Sequence, residues 1–149
     1  MSALVRELLD QKGRAVTGVP RDATAFEAVE MMAEHNIGCV LVLTRKGAVS
    51  GICSERDIFR KVILRKRNPA QVSVADIMTP KRRLVAVDAD STLSDCMDLM
   101  TSKRVRHLPV VSANGALEGI ISIGDAVKAI GAERELMIQQ LEHYIGSSL

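Results

Sequence analysis

The sequence predicts a mixed α/β fold in which a β-α-β-β-α unit occurs twice and a long helix follows the second copy. The first observation behind this prediction is an internal repeat: residues 51–57 read GICSERD, and residues 119–125 read GIISIGD. The second is that an apolar run in each copy meets a Ser with an Asp three positions on, which is typical of a strand that passes into a capped helix. The repeat therefore predicts two similar halves.

Composition limits the classes of function. The chain has 149 residues, 47% of them apolar, and a formal net charge of +2, so one compact body is expected and the overall charge favours neither nucleic acid nor an anionic membrane. Cys39, Cys53 and Cys96 are widely spaced in apolar patterns, which indicates buried thiols rather than disulfides or a metal site. No signal-peptide pattern or membrane-length apolar run occurs, so we expect a cytoplasmic protein.

Each copy is predicted to begin with a short amphipathic helix. It covers residues 2–10 in the first copy and 72–78 in the second, where Val5 corresponds to Val74 and Leu9 to Met78. A basic turn follows in both copies and leads into a short strand, at 15–19 and at 84–87.

The next predicted elements are a helix and a hairpin. The helix has a buried stripe at helical spacing, which indicates one face against a core; its members are Ala25, Ala28, Val29, Met32 and Ala33, matched by Leu93, Cys96, Met97 and Met100. The hairpin strands are 39–43 and 49–53, then 107–111 and 117–121, with Gly47 and Gly115 in the turns. Their continuous apolar runs predict burial on both faces.

The domain boundaries follow from the repeat. We assign residues 1–66 to repeat one, 67–72 to a linker, 73–131 to repeat two and 132–149 to a C-terminal helical extension. The basic, Pro-containing linker is interpreted as a solvated connector, because no aromatic residue accompanies it to stack on a base. The last helix is expected to reach about Tyr144, and its apolar positions predict a partner surface and a homodimer; they are Val127, Ile130, Met137, Leu141 and Ile145.

Two interpretations of Ser-x-x-Asp stand side by side. The first is a capping box with no further role, as at Thr24 and Thr92. The second is a phosphoribosyl site, because helix N–H groups attract phosphate and one carboxylate can accept both hydroxyls of a ribose.

The doubled unit, its Gly-x-x-Ser-x-x-Asp junction and the strand sequence RHLPVV at 106–111 are similar to the cystathionine-β-synthase (CBS) domain family over nearly the whole chain. This resemblance implies that the two repeats pack as a pseudo-twofold pair, whose clefts hold adenosine ligands such as AMP, ADP, ATP, S-adenosylmethionine or NAD. It assigns phosphate contacts to the Ser and ribose contacts to the Asp, hence Ser54 and Asp57 in repeat one, and Ser122 and Asp125 in repeat two. By the same resemblance the nucleotide site of repeat two also includes Arg106, His107, Pro109, Ile121, Leu84 and Val85. Leu84 and Val85 are expected to contact adenine through their backbone. In repeat one the corresponding residues are Ala15 and Val16.

The first copy departs from the family pattern, since Gly38 and Cys39 stand where repeat two has Arg106 and His107. Arg56 is either an ordinary exposed helix residue or a compensating phosphate ligand that points into the central cleft. His107 is either a satisfied core histidine or a phosphate ligand, and the neighbouring Arg106 favours the ligand role.

The predicted function is a regulatory module that binds an adenine nucleotide and acts on an unidentified effector protein. We assign no catalytic residue, no metal site and no catalytic cofactor, because no phosphate-binding loop, zinc-protease motif or nucleophile elbow occurs. The alternative is a ligand-free structural or docking module in which both Ser-x-x-Asp boxes are only helix caps. Asp at both ribose positions favours binding, because a capping box would equally accept Glu or Gln.

Overall fold

The protein forms two compact units in a computed structural model that describes residues 3–148. The repeat-one unit comprises Ala15–Leu84, and the repeat-two unit combines the chain up to Arg14 with the chain from Val85 onward. Ser2, the expected start of the first helix, and Leu149, the end of the expected extension, lie outside the described residues. Each unit thus contains the predicted hairpin of one repeat together with the short first helix of the other.

The repeat-one unit contains a four-stranded sheet in the order β1-β2-β3-β4. Strand β1 (Gly18–Pro20) pairs in parallel with β2 (Cys39–Leu43), which pairs antiparallel with β3 (Val49–Ser54), and β3 pairs antiparallel with the short β4 (Thr79–Pro80). Its helices are α2 (Ala25–His35), α3 (Glu55–Ile58), which continues as a π-helical turn at Phe59–Ile63, and α4 (Val74–Ile77). The predicted linker contains a 3₁₀ turn at Pro69–Gln71, and a second 3₁₀ turn lies at Lys81–Arg83.

The repeat-two unit is built on the antiparallel hairpin β5 (His107–Val111) and β6 (Leu117–Ser122). Helix α1 (Val5–Lys12), helix α5 (Leu93–Lys103) and the 26-residue helix α6 (Ile123–Ser148) belong to the same unit. Its core combines apolar residues of α1, α5, the hairpin and the bridging residue Val87: Val5, Leu8, Leu9, Val87, Leu93, Cys96, Met100, Leu108, Val110 and Ile121. The apolar face of α1 is therefore buried against the helix and hairpin of repeat two, although α1 belongs to repeat one in the sequence.

The hairpins, the helices α2 and α5, and the long last helix lie where the sequence predicts them. The first strand of each copy does not. In the first copy the strand begins at Gly18 rather than Ala15, and in the second only Val87 bridges to Val110. The Leu84 N–H closes the preceding turn on the Lys81 carbonyl, so the chain enters the sheet only near Val87.

Burial on α2 is narrower than the predicted stripe. Ala25, Ala28 and Met32 are buried, but Val29 and Ala33 are exposed. All three cysteines are buried free thiols. Within residues 3–148, no helix combines the length and apolar character needed to cross a membrane.

Candidate functional site

The repeat-two Ser-x-x-Asp box lies at the junction of β6 and α6. The Asp125 N–H donates to Ser122 Oγ at 3.1 Å, and the Ser122 N–H donates to Asp125 Oδ2 at 2.9 Å. These reciprocal bonds satisfy the first turn of a 26-residue helix. The carboxylate of Asp125 is thereby held at the strand-to-helix junction, and 27% of its side chain remains exposed.

A third group enters this site from the N-terminal helix. Lys12, the last residue of α1, donates from Nζ to Asp125 Oδ2 at 2.6 Å and to the Ile120 carbonyl at 2.8 Å. Its side chain is two-thirds buried. Sequence reasoning did not include Lys12 in the site, because a lysine in the last turn of a helix is expected simply from the helix dipole.

The repeat-one box has the same capping geometry but a different lysine. Asp57 Oδ2 accepts from the Ser54 N–H at 3.0 Å and from Ser54 Oγ at 3.1 Å, while Oδ1 accepts from Lys61 Nζ at 3.0 Å. Lys61 lies one turn further along the same helical segment and also donates to the Ile77 carbonyl. Asp57 is buried, with only 10% of its side chain exposed. Both of its carboxylate oxygens are therefore engaged by this chain.

The environment of Asp125 favours the charged carboxylate. Burial acts to raise the pKa of Asp125, but the hydrogen bonds from Lys12 and Ser122 and the charge of Lys12 outweigh it, so the pKa lies below its ordinary value. In repeat one, burial and the nearby Asp57 raise the pKa of Cys53 to about 12. Cys53 is therefore an unreactive core thiol at neutral pH.

The glycine that opens each Gly-x-x-Ser-x-x-Asp motif allows a segment of the other repeat to pack closely on the strand. A Cβ on Gly119 would lie 2.8 Å from Leu9 Cδ2 of α1, and a Cβ on Gly51 would meet the Thr79 carbonyl of β4. Residues that precede the first strand of one repeat thus pack on the last strand of the other. This exchange brings Lys12 to Asp125, and no local sequence pattern reveals it.

The other residues predicted for repeat two differ in accessibility. Arg106 is exposed and its carbonyl accepts from the Ile123 N–H, whereas His107 is half-buried at the start of β5. Pro109 and Ile121 are buried, and the Ile121 side chain belongs to the hydrophobic core. Arg106 and His107 therefore retain surface for a ligand, and any contribution of Ile121 comes from its backbone.

The predicted adenine-binding segments lie where the chain passes from one unit to the other, at residues 14–16 and 84–85. Ala15 is exposed and Val16 half-buried, while Leu84 and Val85 are both half-buried. Arg56 is half-buried at the start of α3, and its role as a phosphate ligand stays a prediction.

A separate groove of about 930 Å³ lies on the repeat-two unit, but neither Ser122 nor Asp125 lines it. Its two arginines pair with its own carboxylates, Arg6 with Asp90 and Arg14 with Asp10 and Glu118. Among the described residues, no three His, Cys, Asp or Glu side chains group as metal ligands.

Comparison with known proteins gives a consistent result. The family model "CBS domain" matches residues 5–64 and 74–132. The mitochondrial CBS domain-containing protein CBSX3 of Arabidopsis thaliana is 35% identical over 97% of this chain and 72% of its own length. The crystal structure of the CBS-domain containing protein ATU1752 from Agrobacterium tumefaciens has a TM-score of 0.80 and 43% identity, covering 87% of this chain and 94% of that one. The CBS domain protein PAE2072 from Pyrobaculum aerophilum, solved as a complex with AMP, has a TM-score of 0.71 and 25% identity, covering 83% and 89%.

Proposed function

This chain belongs to the CBS domain family and carries two copies of the domain in tandem, and on that premise we propose that it is a regulatory module that binds an adenine nucleotide at its Ser-x-x-Asp sites. The observation that carries the proposal is the state of Asp125, which is ionised, held in place by Ser122 and Lys12, and partly open to solvent. An ionised carboxylate in this position can accept the two hydroxyls of a ribose. The AMP complex of PAE2072 supports a ligand of this class.

We infer that repeat two is the stronger site. The hydrogen bonds from Lys12 Nζ and the Ser122 N–H to Asp125 both fall on Oδ2, whereas Asp57 is engaged on both oxygens. A ribose at Asp57 would have to displace Lys61 or share its acceptor, so binding there costs more. Arg106 and His107 add cationic or hydrogen-bonding groups for phosphate at repeat two, and Gly38 and Cys39 offer none at repeat one.

The remaining assignments complete the proposed site. Phosphate is bound by Ser122 with Arg106 and His107, and adenine by main-chain groups near Leu84 and Val85; at repeat one the corresponding roles fall to Ser54 with Arg56, and to Ala15 and Val16. The ligand class is AMP, ADP, ATP or NAD(H). Binding rather than catalysis is the proposed activity, with the signal passed to an effector protein.

A thermal-shift screen tests the function. AMP, ADP, ATP, NAD, NADH and S-adenosylmethionine are each added to the intact protein, and guanosine monophosphate serves as the control for the base. A ligand that binds only the folded state at 100 times its dissociation constant stabilises it by about 2.7 kcal/mol. If no adenine compound raises the melting temperature, the nucleotide-binding function is wrong.

One observation favours the docking-module alternative. Both Ser-x-x-Asp boxes are fully formed by the chain's own groups, so neither needs a ligand to satisfy its helix start. Under this alternative the same screen shows no stabilisation by any nucleotide.

We also propose that the module is a homodimer with α6 in the contact. The second half of this helix has six large apolar side chains that are at least half exposed, Leu136, Met137, Ile138, Leu141, Tyr144 and Ile145. Two copies paired antiparallel about Ile138 place Arg134 opposite Glu142 and Gly131 opposite Ile145, which matches opposite charges and sets a bulky side chain against a small one. That complementarity with itself favours a second copy as the occupant of this surface.

A further inference from the structure

The lysine that ends α1 has a geometry that suits a ligand-binding role. An ammonium group has three N–H donors, and Lys12 directs two of them to the Ile120 carbonyl and Asp125 Oδ2. Within the part of the chain that the structure describes, these are the hydrogen bonds made by Lys12 Nζ. One donor therefore remains, next to the carboxylate that would hold the ribose.

The position of Lys12 is fixed by packing. Helix α1 is anchored by Val5, Leu8 and Leu9, which are nearly or fully buried, and the absence of a side chain at Gly119 lets Leu9 lie directly against β6. The helix then ends at Gly13, whose φ of 96° is unfavourable for other residues. Lys12 thus emerges at a defined point beside Asp125, and little conformational entropy is lost when it makes a further contact.

The acceptor geometry points to the ribose hydroxyls as the ligand groups. A ribose hydroxyl donates one hydrogen and accepts through its oxygen. At Asp125 it can donate to Oδ1 while its oxygen accepts the remaining N–H of Lys12. An adjacent carboxylate and ammonium group can therefore bind one hydroxyl both as a donor and as an acceptor. A ligand that lacks this hydroxyl loses both hydrogen bonds.

From these contacts we propose that Lys12 of the N-terminal helix is a specificity-determining residue of the repeat-two site, where with Asp125 it selects ribonucleotides over deoxyribonucleotides. The inference rests on the proposed nucleotide-binding function. Lys61 does not have this role at repeat one, because both oxygens of Asp57 are already engaged by the chain.

The experiment measures dissociation constants of AMP, 2′-deoxy-AMP and 3′-deoxy-AMP by calorimetry for the full-length protein and for Lys12→Met. The unmodified protein is expected to bind AMP at least about 10-fold more tightly than one of the deoxy analogues, the factor expected for one hydrogen bond to a charged group. Lys12→Met is expected to weaken AMP binding by about 10-fold and to lower the ratio of AMP to deoxy-AMP affinity several-fold, because only the hydrogen bond to Asp125 then distinguishes the hydroxyl. Lys103→Met, which removes an exposed lysine in the last turn of α5, is the control and should retain the ratio.

Three outcomes overturn the inference. Unchanged AMP affinity and ribose selectivity in Lys12→Met would show that Lys12 only packs at the site, while nucleotide binding itself would stand. Tighter AMP binding in Lys12→Met would mean that Lys12 competes with the ribose for Asp125. If the unmodified protein binds no adenine nucleotide, the proposed function and this inference both fail. Unliganded melting curves verify folding, and Lys12→Gln replaces Lys12→Met if that variant does not fold.

Discussion

The substitution Asp125→Asn separates a ribose-binding carboxylate from a helix cap. The Asn side-chain oxygen can still accept from the Ser122 N–H, so the variant loses chiefly the ion pair with Lys12. That pair is partly exposed at both ends and contributes about 0.2–1 kcal/mol to the free energy of unfolding. We expect Asp125→Asn to lower the melting temperature by no more than about 2–4 °C.

The expected effect on binding is larger. Hydrogen bonds to a charged group contribute about 1.5–3 kcal/mol, so neutralising the carboxylate should weaken AMP binding by about 10- to 150-fold. Calorimetric titration gives the dissociation constant, and Asp57→Asn is the matched control. The control should affect stability more and binding less, because Asp57 is more buried and its oxygens already have partners in the chain.

The pH dependence checks the electrostatic part of this reasoning. The pKa of Asp125 is lowered in the folded protein from an ordinary value near 3.8, so its stabilising contribution is fully present above that value and is lost as the pH falls through the lower folded-state pKa. The difference in unfolding free energy between the unmodified protein and Asp125→Asn should therefore be constant from about pH 5 to 8 and should shrink below about pH 4. If Asp125→Asn leaves the AMP affinity unchanged, the Ser-x-x-Asp box of repeat two acts only as a helix cap. If Asp57→Asn loses more AMP affinity than Asp125→Asn, repeat one is the stronger site.

Two further predictions concern packing and assembly. Gly119→Ala should destabilise the protein by about 1–3 kcal/mol through overlap with Leu9, and Leu9→Ala should cost less in that background than alone, as measured by denaturant unfolding. The control Gly146→Ala, at an exposed helix position where a Cβ meets nothing within 4 Å among the described residues, should be neutral or slightly stabilising. Additive effects of Gly119→Ala and Leu9→Ala would contradict the contact. Truncation after Gly131 should weaken the dimer, as measured by light scattering, since each lost apolar side chain contributes about 1.5–3 kcal/mol when buried. If the untruncated protein is monomeric at micromolar concentration, the dimer is refuted. If the truncated protein dimerises equally tightly, the interface lies elsewhere.

The parts of the fold that could be predicted are those whose signals are local. The hairpins follow from apolar runs separated by a turn glycine, with Gly47 and Gly115 both in the left-handed region. The boxes at Ser54 and Ser122 follow from residue type and spacing, and the structure forms both. Periodicity likewise placed α2 and α5, because a buried helical face has a regular spacing.

The exchange of the first helices could not be predicted in the same way. The amphipathic pattern of α1 shows that Leu9 is buried, but it does not say which strand covers it. Gly119 belongs to the Gly-x-x-Ser-x-x-Asp motif, and only the structure shows that its missing side chain makes room for Leu9. Lys12 was missed for the same reason, since its partner Asp125 is more than a hundred residues away. The one sequence signal that could have suggested it is the recurrence of lysine at the equivalent position, Lys81.

The placement of α1 in the repeat-two unit has a consequence for synthesis on the ribosome. The repeat-one unit ends at Leu84, so every residue it needs has been translated by that point. The apolar residues of α1 are made before the repeat-one unit, yet their core partners on α5 and the hairpin emerge only after that unit is complete. During that interval Val5, Leu8 and Leu9 are not yet packed against their native core partners. A chaperone that binds short apolar stretches could bind them there. A helix that is made before the repeat-one unit thus reaches its native contacts only after that unit is complete.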